Sequence, residues 1–348
     1  MNHVEYKNEF LQILKEELVP AAGCTEPISL AFSGAKAREL LEEYPDEIII
    51  RCSGNLIKNI RCVTVPYTGN LVGIEASLLA GVVGGDSRKG LEVITGLNES
   101  HLIEIHKLLN KKIVKIKMLE TPLNLHYILT CKSKNHSCEI EVKNLHTNIT
   151  RIVLDNQLIL EKETVNHEFF GVESDRSFMT VERILKFVNE IDPQSIIPLL
   201  EPQVYYNMAI AEEGLKGRFS VAIGPTIMKH DHSIYGKMKA YAASASEARM
   251  SGCAMAVMTN SGSGNQGIAS SVPVIVYARH KYLKEEQMYR ALALSNLLTI
   301  YQKSFIGRLS AFCGAISATI SSGAALTYIE GGSLDQIKMT IINALANV

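Results

Sequence analysis

Nine consecutive residues, Thr259-Asn260-Ser261-Gly262-Ser263-Gly264-Asn265-Gln266-Gly267, set three glycines and six small polar side chains between two apolar runs. Gly262, Gly264 and Gly267 let the backbone take left-handed conformations and let a ligand approach main-chain N–H groups with no Cβ in the way. The hydroxyls and amides of Thr259, Ser261, Ser263, Asn265 and Gln266 add donors and acceptors. The apolar run Ile268 to Tyr277 predicts a helix opened by the loop, with its N-terminal amides pointing back. Such an end attracts a carboxylate or a phosphate. A flexible Gly/Ser connector is the plain alternative; it fits less well because the flanks are hydrophobic and a linker needs neither Asn nor Gln.

Cys24 lies in Ala21-Ala22-Gly23-Cys24-Thr25-Glu26-Pro27, where Thr25 can cap a helix with Pro27 in its first turn. A thiol at that spot has its thiolate favoured by the helix dipole, the alternative being a small buried side chain. His230-Asp231-His232 offers two imidazoles, but it opens a predicted helix, which argues against a metal site. The seven cysteines (24, 52, 62, 131, 138, 253, 313) show no C-x-x-C spacing and predict reduced thiols, several in the core, not a disulfide framework or zinc ribbon.

Elements to hold these residues follow from periodicity. Phe10 to Leu18 is an amphipathic helix stopped at Pro20, and a small-residue helix runs from Ile28 to about Glu43. Glu47 to Cys52 reads as a strand, broken by Ser53-Gly54-Asn55; Leu71 to Gly81 reads as a helix. Residues 111–119, 125–132, 137–142 and 147–154 are β-branched and alternating, which predicts an antiparallel meander. Beyond Asp175 the helices are 178–191, 199–214, 234–257, 285–303, 307–328 and 333 to the end. The expected fold is α+β, with an N-terminal helix and an antiparallel β-meander region packed on a mainly helical catalytic domain. Its divisions are 1–45, N-terminal helices joining the catalytic core; 46–174, the sheet region; and 175–348, the helical domain. The apolar helical pattern through Met339, Ile341, Ile342, Leu345 and Val348 runs to the last residue, so the chain is expected to be truncated there.

Across 348 residues, 47% hydrophobic and 20% charged side chains with a formal charge of −1 exclude a disordered chain and leave no basic footprint for nucleic acid. The polar N-terminus carries no signal peptide, and the Ala/Ser/Gly-rich stretch Leu309 to Ile329 reads as a closely packed helix, not a membrane span. A cytoplasmic protein with a small-molecule partner is expected; its small-residue helices could support a homodimer.

Gly23-Cys24-Thr25-Glu26-Pro27, Ser53-Gly54-Asn55-Leu56-Ile57-Lys58-Asn59, the 261–267 loop, Gly307-Arg308-Leu309-Ser310-Ala311-Phe312-Cys313-Gly314 and Tyr328-Ile329-Glu330-Gly331-Gly332 together resemble the L-cysteine desulfidase family, related to the alpha subunit of iron–sulfur L-serine dehydratases. The resemblance implies β-elimination from a small L-amino acid, giving pyruvate, ammonia and sulfide from L-cysteine, or pyruvate and ammonia from L-serine. It implies a 4Fe-4S cluster and no pyridoxal phosphate. An iron with an open position would act as Lewis acid on the leaving group while a base takes the Cα proton. Cys24 matches the family's motif cysteine, a candidate for catalysis; the loop residues Thr259, Ser261, Gly262, Ser263, Gly264, Asn265 and Gln266 are then expected to hold the substrate. From their glycine-flanked setting, Glu26 and Lys58 read as catalytic or supporting groups and Asn55 and Asn59 as substrate contacts, with a solvated surface amine the alternative for Lys58; Arg308 either pairs the substrate carboxylate or caps a helix. Cys313 matches one cluster ligand. The other ligands are expected from a Cys-Asp-Gly-Ala-Lys-like segment and a following cysteine beyond Val348, so the cluster is expected to be incomplete in this chain alone.

Two other readings compete. A pyridoxal-phosphate β-eliminase would share the loop, but Lys303-Ser304-Phe305 lies in a helical region with no βαβ phosphate site before it. A non-catalytic amino-acid-binding homologue would keep the loop without the cluster.

Overall fold

The computed structural model of the chain describes residues 5–22, 25–162, 174–307 and 313–347. In chain order the elements are α1 (Lys7–Glu17), β1 (Pro20–Ala22), α2 (Thr25–Leu41), β2 (Glu47–Cys52), α3 (Gly54–Ile60), α4 (Gly73–Gly84), a 3₁₀ turn (Ser87–Glu92), α5 (Glu99–Asn110), β3 (Val114–Met118), β4 (His126–Lys132), β5 (Ser137–Lys143), β6 (Ile149–Leu154) and β7 (Gln157–Glu161). Then follow α6 (Val181–Glu190), α7 (Pro193–Gly214), α8 (Ile223–His230), α9 (Ile234–Met250), β8 (Ala256–Met258), α10 (Gly264–His280), α11 (Glu285–Ile306), α12 (Gly314–Ile329) and α13 (Leu334–Leu345). The chain divides into two compact units: a sheet unit, Ala22–Gly171 with Met250–Ala254, and a helical unit made of the remainder. The expected 1–45 segment is therefore split, α1 lying in the helical unit and α2 in the sheet unit.

In the sheet unit six strands run in the order β3-β2-β4-β5-β6-β7. From β4 to β6 they form the antiparallel meander that alternation predicts, and β7 extends it by a strand the sequence reading did not include. Strand β3 departs from it: it lies beyond β2 and parallel to it, Ile50 opposite Ile116. Parallel neighbours need a long crossover, and the stretch between β2 and β3 supplies one through α3, α4 and α5. The polar-glycine segment after β2 thus opens a short helix where a loop is expected. One face of the sheet meets α2, where the buried Tyr127 hydroxyl bonds Ser29 Oγ at 2.9 Å and Ser33 Oγ at 2.8 Å. The opposite face carries charge, Glu139 accepting from Arg51 at 3.1 Å and Arg151 at 2.8 Å. Helices α2 and α4 touch backbone to backbone. A Cβ at Gly34 would stand 2.5 Å from the Leu78 carbonyl oxygen, and one at Gly81 would overlap the carbonyl of Ala31.

The helical unit is built on α10, α11 and α12. Gln266, in the first turn of α10, meets Gly314, the first residue of α12. At their other ends Tyr277 donates to Glu330 Oε1 at 2.8 Å, so α10 and α12 run parallel with their N-termini together. Helix α11 runs antiparallel to both: Ser295 Oγ donates to the Ser270 carbonyl at 2.6 Å, and Gln302 Nε2 to Ser321 Oγ at 2.7 Å. Helix α1 buries Phe10, Ile13 and Leu14 from one face, Phe10 packing on Phe178 and Phe187 with ring centroids 5.0 and 4.7 Å apart.

Several boundaries differ from the sequence expectation. Helix α7 starts at Pro193, before the expected 199, because Asp192 caps it and Pro193 occupies its first turn. Helix α9 ends at Met250, where Gly252 takes φ 84°, and the chain re-forms as β8 beside β1. His230 closes α8, and the Asp231 carboxylate accepts from Ser233 N at 3.0 Å just ahead of α9.

Candidate active site

The loop in the helical unit is a tight turn feeding a helix. Asn260 and Ser263 exchange backbone hydrogen bonds, N to O, at 3.1 and 3.0 Å. Ser261 and Gly262 between them both have positive φ, 50° and 78°, as a type I′ turn requires. Ser261 Oγ donates to Asn260 Oδ1 at 2.9 Å, bracing the less tolerant of the two positions. Ser263 then caps α10, its hydroxyl accepting from Gln266 N at 3.4 Å. The loop opens a helix as the sequence predicts, but α10 begins at Gly264, inside the expected loop, because Ser263 caps it.

The predicted substrate residues separate by exposure. Thr259 is buried, and its hydroxyl donates to the Val19 carbonyl at 2.9 Å, tying the loop to the chain after α1. Ser261 and Gln266 are buried too, Gln266 Nε2 donating to the Asn260 carbonyl at 3.2 Å. Gly262, Ser263 and Asn265 remain half-exposed. The three buried side chains shape the turn; the three half-exposed residues can meet a ligand. Asn265 Oδ1 accepts from Nη1 of the buried Arg249 at 3.1 Å.

The glycines are required by close approach. A Cβ at Gly264 would overlap the Arg249 guanidinium, one at Gly267 the Met258 carbonyl, and one at Gly314 the Gln266 side-chain carbonyl. Gln266 therefore joins the first turns of two parallel helices. The first N–H groups of each lack partners within their own helix, and both carry the positive dipole end. Cys313 occupies the N-cap position of α12, exposed, with no capping hydrogen bond from its side chain.

Behind the turn lies a buried amide network absent from the sequence reading. Asn296 on α11 and Gln203 on α7 are hydrogen-bonded to each other, and Asn296 Oδ1 accepts from Asn260 Nδ2 at 2.9 Å and Ser270 Oγ at 3.2 Å. Asn207 on α7 receives Met258 N at 2.8 Å and donates to Ser271 Oγ at 2.9 Å. A lone amide inside an apolar helical run is the signal these residues give, as in Leu294-Ser295-Asn296-Leu297.

In the sheet unit the structure brings Glu26 and Asn59 together, Asn59 Nδ2 donating to Glu26 Oε1 at 3.2 Å, while Thr25 Oγ1 donates to Glu26 Oε2 at 3.2 Å. Helix α2 begins at Thr25 itself, one residue earlier than a Thr25 cap implies. Asn55 turns elsewhere, donating to Asn124 Oδ1 at 2.6 Å. Lys58 is exposed on α3. Cys24 and Arg308 lie outside the described residues.

An iron–sulfur cluster needs thiolates. Among the described residues no group of three or more His, Cys, Asp or Glu side chains is placed to hold a metal ion. Cys52, Cys131, Cys138 and Cys253 are buried, and burial pushes the Cys52 thiol up to about 12. In the helical unit Cys313 is the one exposed thiol among the described residues. The described donor set by itself does not fit a cluster.

An α+β protein with a glycine-built turn at paired helix N-termini is the class that fold and site define. Residues 88–348 match the family described as serine dehydratase alpha chain, and the chain belongs to that family. It is 44% identical over 346 residues to a UPF0597 protein of Treponema denticola, covering 98% of this chain and 80% of that one. A UPF0597 protein of Lachnoclostridium phytofermentans is 46% identical over 345 residues, covering 98% and 81%. One from Fusobacterium nucleatum is 41% identical over 344 residues, covering 97% and 81%. No solved structure matches the chain. No described helix is long and apolar enough to cross a membrane.

Proposed function

We propose that this chain is a lyase of the serine dehydratase type that eliminates the β-substituent of a small L-amino acid. L-serine gives pyruvate and ammonia; L-cysteine, with one water, gives pyruvate, ammonia and sulfide. The observation that carries the reading is the Asn260–Ser263 turn feeding the α10 N-terminus beside that of α12. In this reading the substrate carboxylate takes hydrogen bonds from the first N–H groups of α10, with Ser263 and Asn265 beside it. Arg249 steadies Asn265 and adds positive charge. Gln266 keeps the two helix ends in register.

Within the sheet unit, Cys24, Glu26 and Lys58 are the groups we assign to proton transfer. What supports Glu26 is its pair of hydrogen bonds from Asn59 and Thr25, which fix the carboxylate on α2. Cys313 would be one ligand of a 4Fe-4S cluster whose other ligands the described residues do not supply; such a cluster, once completed, would supply a Lewis acid for the departing oxygen or sulfur. We place the protein in the cytoplasm, as a homodimer. A second reading, an amino-acid-binding homologue without turnover, is favoured by the single exposed thiol of the helical unit.

Two measurements test the proposal. Titration calorimetry with L-serine and L-cysteine reads binding alone, and Ser263→Ala with Asn265→Ala should weaken it about tenfold each, near the loss of one charge-assisted hydrogen bond. Anaerobic reconstitution with iron and sulfide, followed by pyruvate release, reads the chemistry. Binding without pyruvate would support the second reading; absence of both would remove the amino-acid site.

A further inference from the structure

In the sheet unit two thiols face each other across the ladder. Cys131 on β4 is the direct partner of Cys138 on β5, in a row that continues to Ile48 on β2 and Leu154 on β6. Both side chains point to the face covered by α2 and are buried, 0% and 2% exposed, with the Cys138 sulfur 3.9 Å from the Ala37 carbonyl of α2. Each of the two thiols shifts the proton affinity of the other. Opposed residues of an antiparallel pair have Cα atoms about 4.5–5.5 Å apart, inside the roughly 4.4–6.8 Å that a disulfide spans. No strand has to slip for these sulfurs to join.

We infer that Cys131 and Cys138 form a redox-responsive dithiol, closed to an intrachain disulfide by a peroxide and reopened by a thiol reductant. The other described cysteines lack this geometry in their own rows: Cys52 on β2 stands between Tyr127 and Met118. The pair also sits beside the turn that joins β4 to β5. Just beyond it, Ser133 N donates to the His136 carbonyl at 2.9 Å, and the intervening Lys134 and Asn135 are exposed. Opening that hairpin end would give a small oxidant a route to the sulfurs.

The chemistry balances with hydrogen peroxide as the oxidant. The Cys138 sulfur, ionised, attacks the O–O bond and keeps one oxygen as a sulfenic acid, and the released hydroxide takes a proton to leave as water. The Cys131 sulfur then displaces the sulfenic oxygen, which leaves as a second water. Two thiols lose two electrons and two protons, and one peroxide is reduced to two waters. The interaction between the two opposed thiols selects the roles. It lowers the Cys138 thiol below its usual range and raises Cys131 well above it, so Cys138 attacks first. The two residues being directly opposed across the ladder, the sulfenic acid is resolved within the pair.

The test uses the folded, unmodified chain. After peroxide, the protein is unfolded in an alkylating agent, digested and weighed by mass spectrometry. The expected product is a Cys131–Cys138 linked peptide pair, lighter by two hydrogens than the two free peptides and abolished by dithiothreitol. Cys131→Ser and Cys138→Ser should each remove it, and Cys52 should be recovered alkylated in all three proteins. Recovery of both Cys131 and Cys138 as alkylated free thiols, from a sample in which the exposed Cys62 and Cys313 have been oxidised, overturns the inference. So does a Cys131 linked to any other cysteine. The measurement on the unmodified chain stands if either serine variant fails to fold, and it reports on the sheet unit whatever the substrate of the helical unit proves to be.

Discussion

Gln203 and Asn296 exchange two hydrogen bonds in the core of the helical unit, Gln203 Nε2 to Asn296 Oδ1 at 3.0 Å and Asn296 Nδ2 to Gln203 Oε1 at 2.8 Å. Both side chains are completely buried. The same Asn296 oxygen receives Asn260 of the turn, so the amide pair carries the turn's position back into two long helices. Removing the Asn296 side chain would strand the Gln203 amide and leave Asn260 Nδ2 only its 3.3 Å bond to the main-chain carbonyl of residue 296, at about 1–3 kcal/mol for each buried group left unpaired. Asn296→Ala should therefore lose about 3 kcal/mol or more in urea unfolding. Gln203→Ala combined with it should lose less than the sum of the two single changes, because the groups share partners.

The two glycines beside the turn should respond differently to alanine. At Gly267 the obstacle is the Met258 main-chain carbonyl, which cannot move without shifting β8. Gly267→Ala is expected to cost about 1–3 kcal/mol in stability. At Gly314 the obstacle is the end of the Gln266 side chain, which can rotate away at the loss of its bond to Asn260. Gly314→Ala should lower the unfolding midpoint less than Gly267→Ala does, because a side chain gives way where a main-chain carbonyl cannot, and should weaken amino-acid binding in calorimetry.

Gly262 has φ 78° without a Cβ to strain. Gly262→Ala should destabilise by about 1–2 kcal/mol, the general cost of left-handed backbone for an L-residue. Gly262→Asn should cost less, since Asn tolerates that region better than Ala does. Parallel urea titrations of the two variants check the order.

Acidification should weaken the sheet unit through His126. Burial holds this imidazole below its ordinary 6.5, outweighing the opposite pull of Glu141. The neutral tautomer with the proton on Nε2 satisfies both neighbours: Nε2–H donates to Glu141 Oε1 at 2.9 Å, and Nδ1 accepts from Thr121 Oγ1 at 2.9 Å. Between the depressed folded value and 6.5 the unfolded chain binds more protons, so this stability is complete above 6.5 and is lost as pH falls below it. Burial alone would push Glu141 up, but hydrogen bonds from Lys143 and His126 outweigh it and hold Glu141 below its ordinary value, so its contribution is lost at still lower pH. The urea midpoint of the unmodified chain should drop between pH 7.5 and 5.5 by more than that of His126→Gln.

Much of this was legible in the residues. Alternation in 125–154 announced the meander, and the Ser-Gly-Ser-Gly pattern announced the turn and the helix after it. Strand order was not legible, because alternation says that residues 114–118 form a strand without saying that β2 separates it from β4. Helix α5 escaped because its buried face is narrow, Ile105 and Leu108. The roles of Thr259 and Gln266 also escaped: a small polar residue reads the same whether it faces a ligand or braces the turn, and only burial separates the two. Gln203 and Asn296 reveal themselves as a pair only when α7 and α11 are brought side by side.

The contact between α2 and α4 has a kinetic consequence. Ala31 and Gly81 belong to distant parts of the chain, and their backbones meet with no side chain between them. Such a contact gains nothing from partial approach; it forms only when the loop joining the helices has already closed. Long-range contacts of this kind slow folding, so docking of α4 onto α2 is expected to fall late in the assembly of the sheet unit. A larger side chain at Gly34 or Gly81 would then act mainly by speeding unfolding, leaving the earliest collapse of the chain nearly untouched.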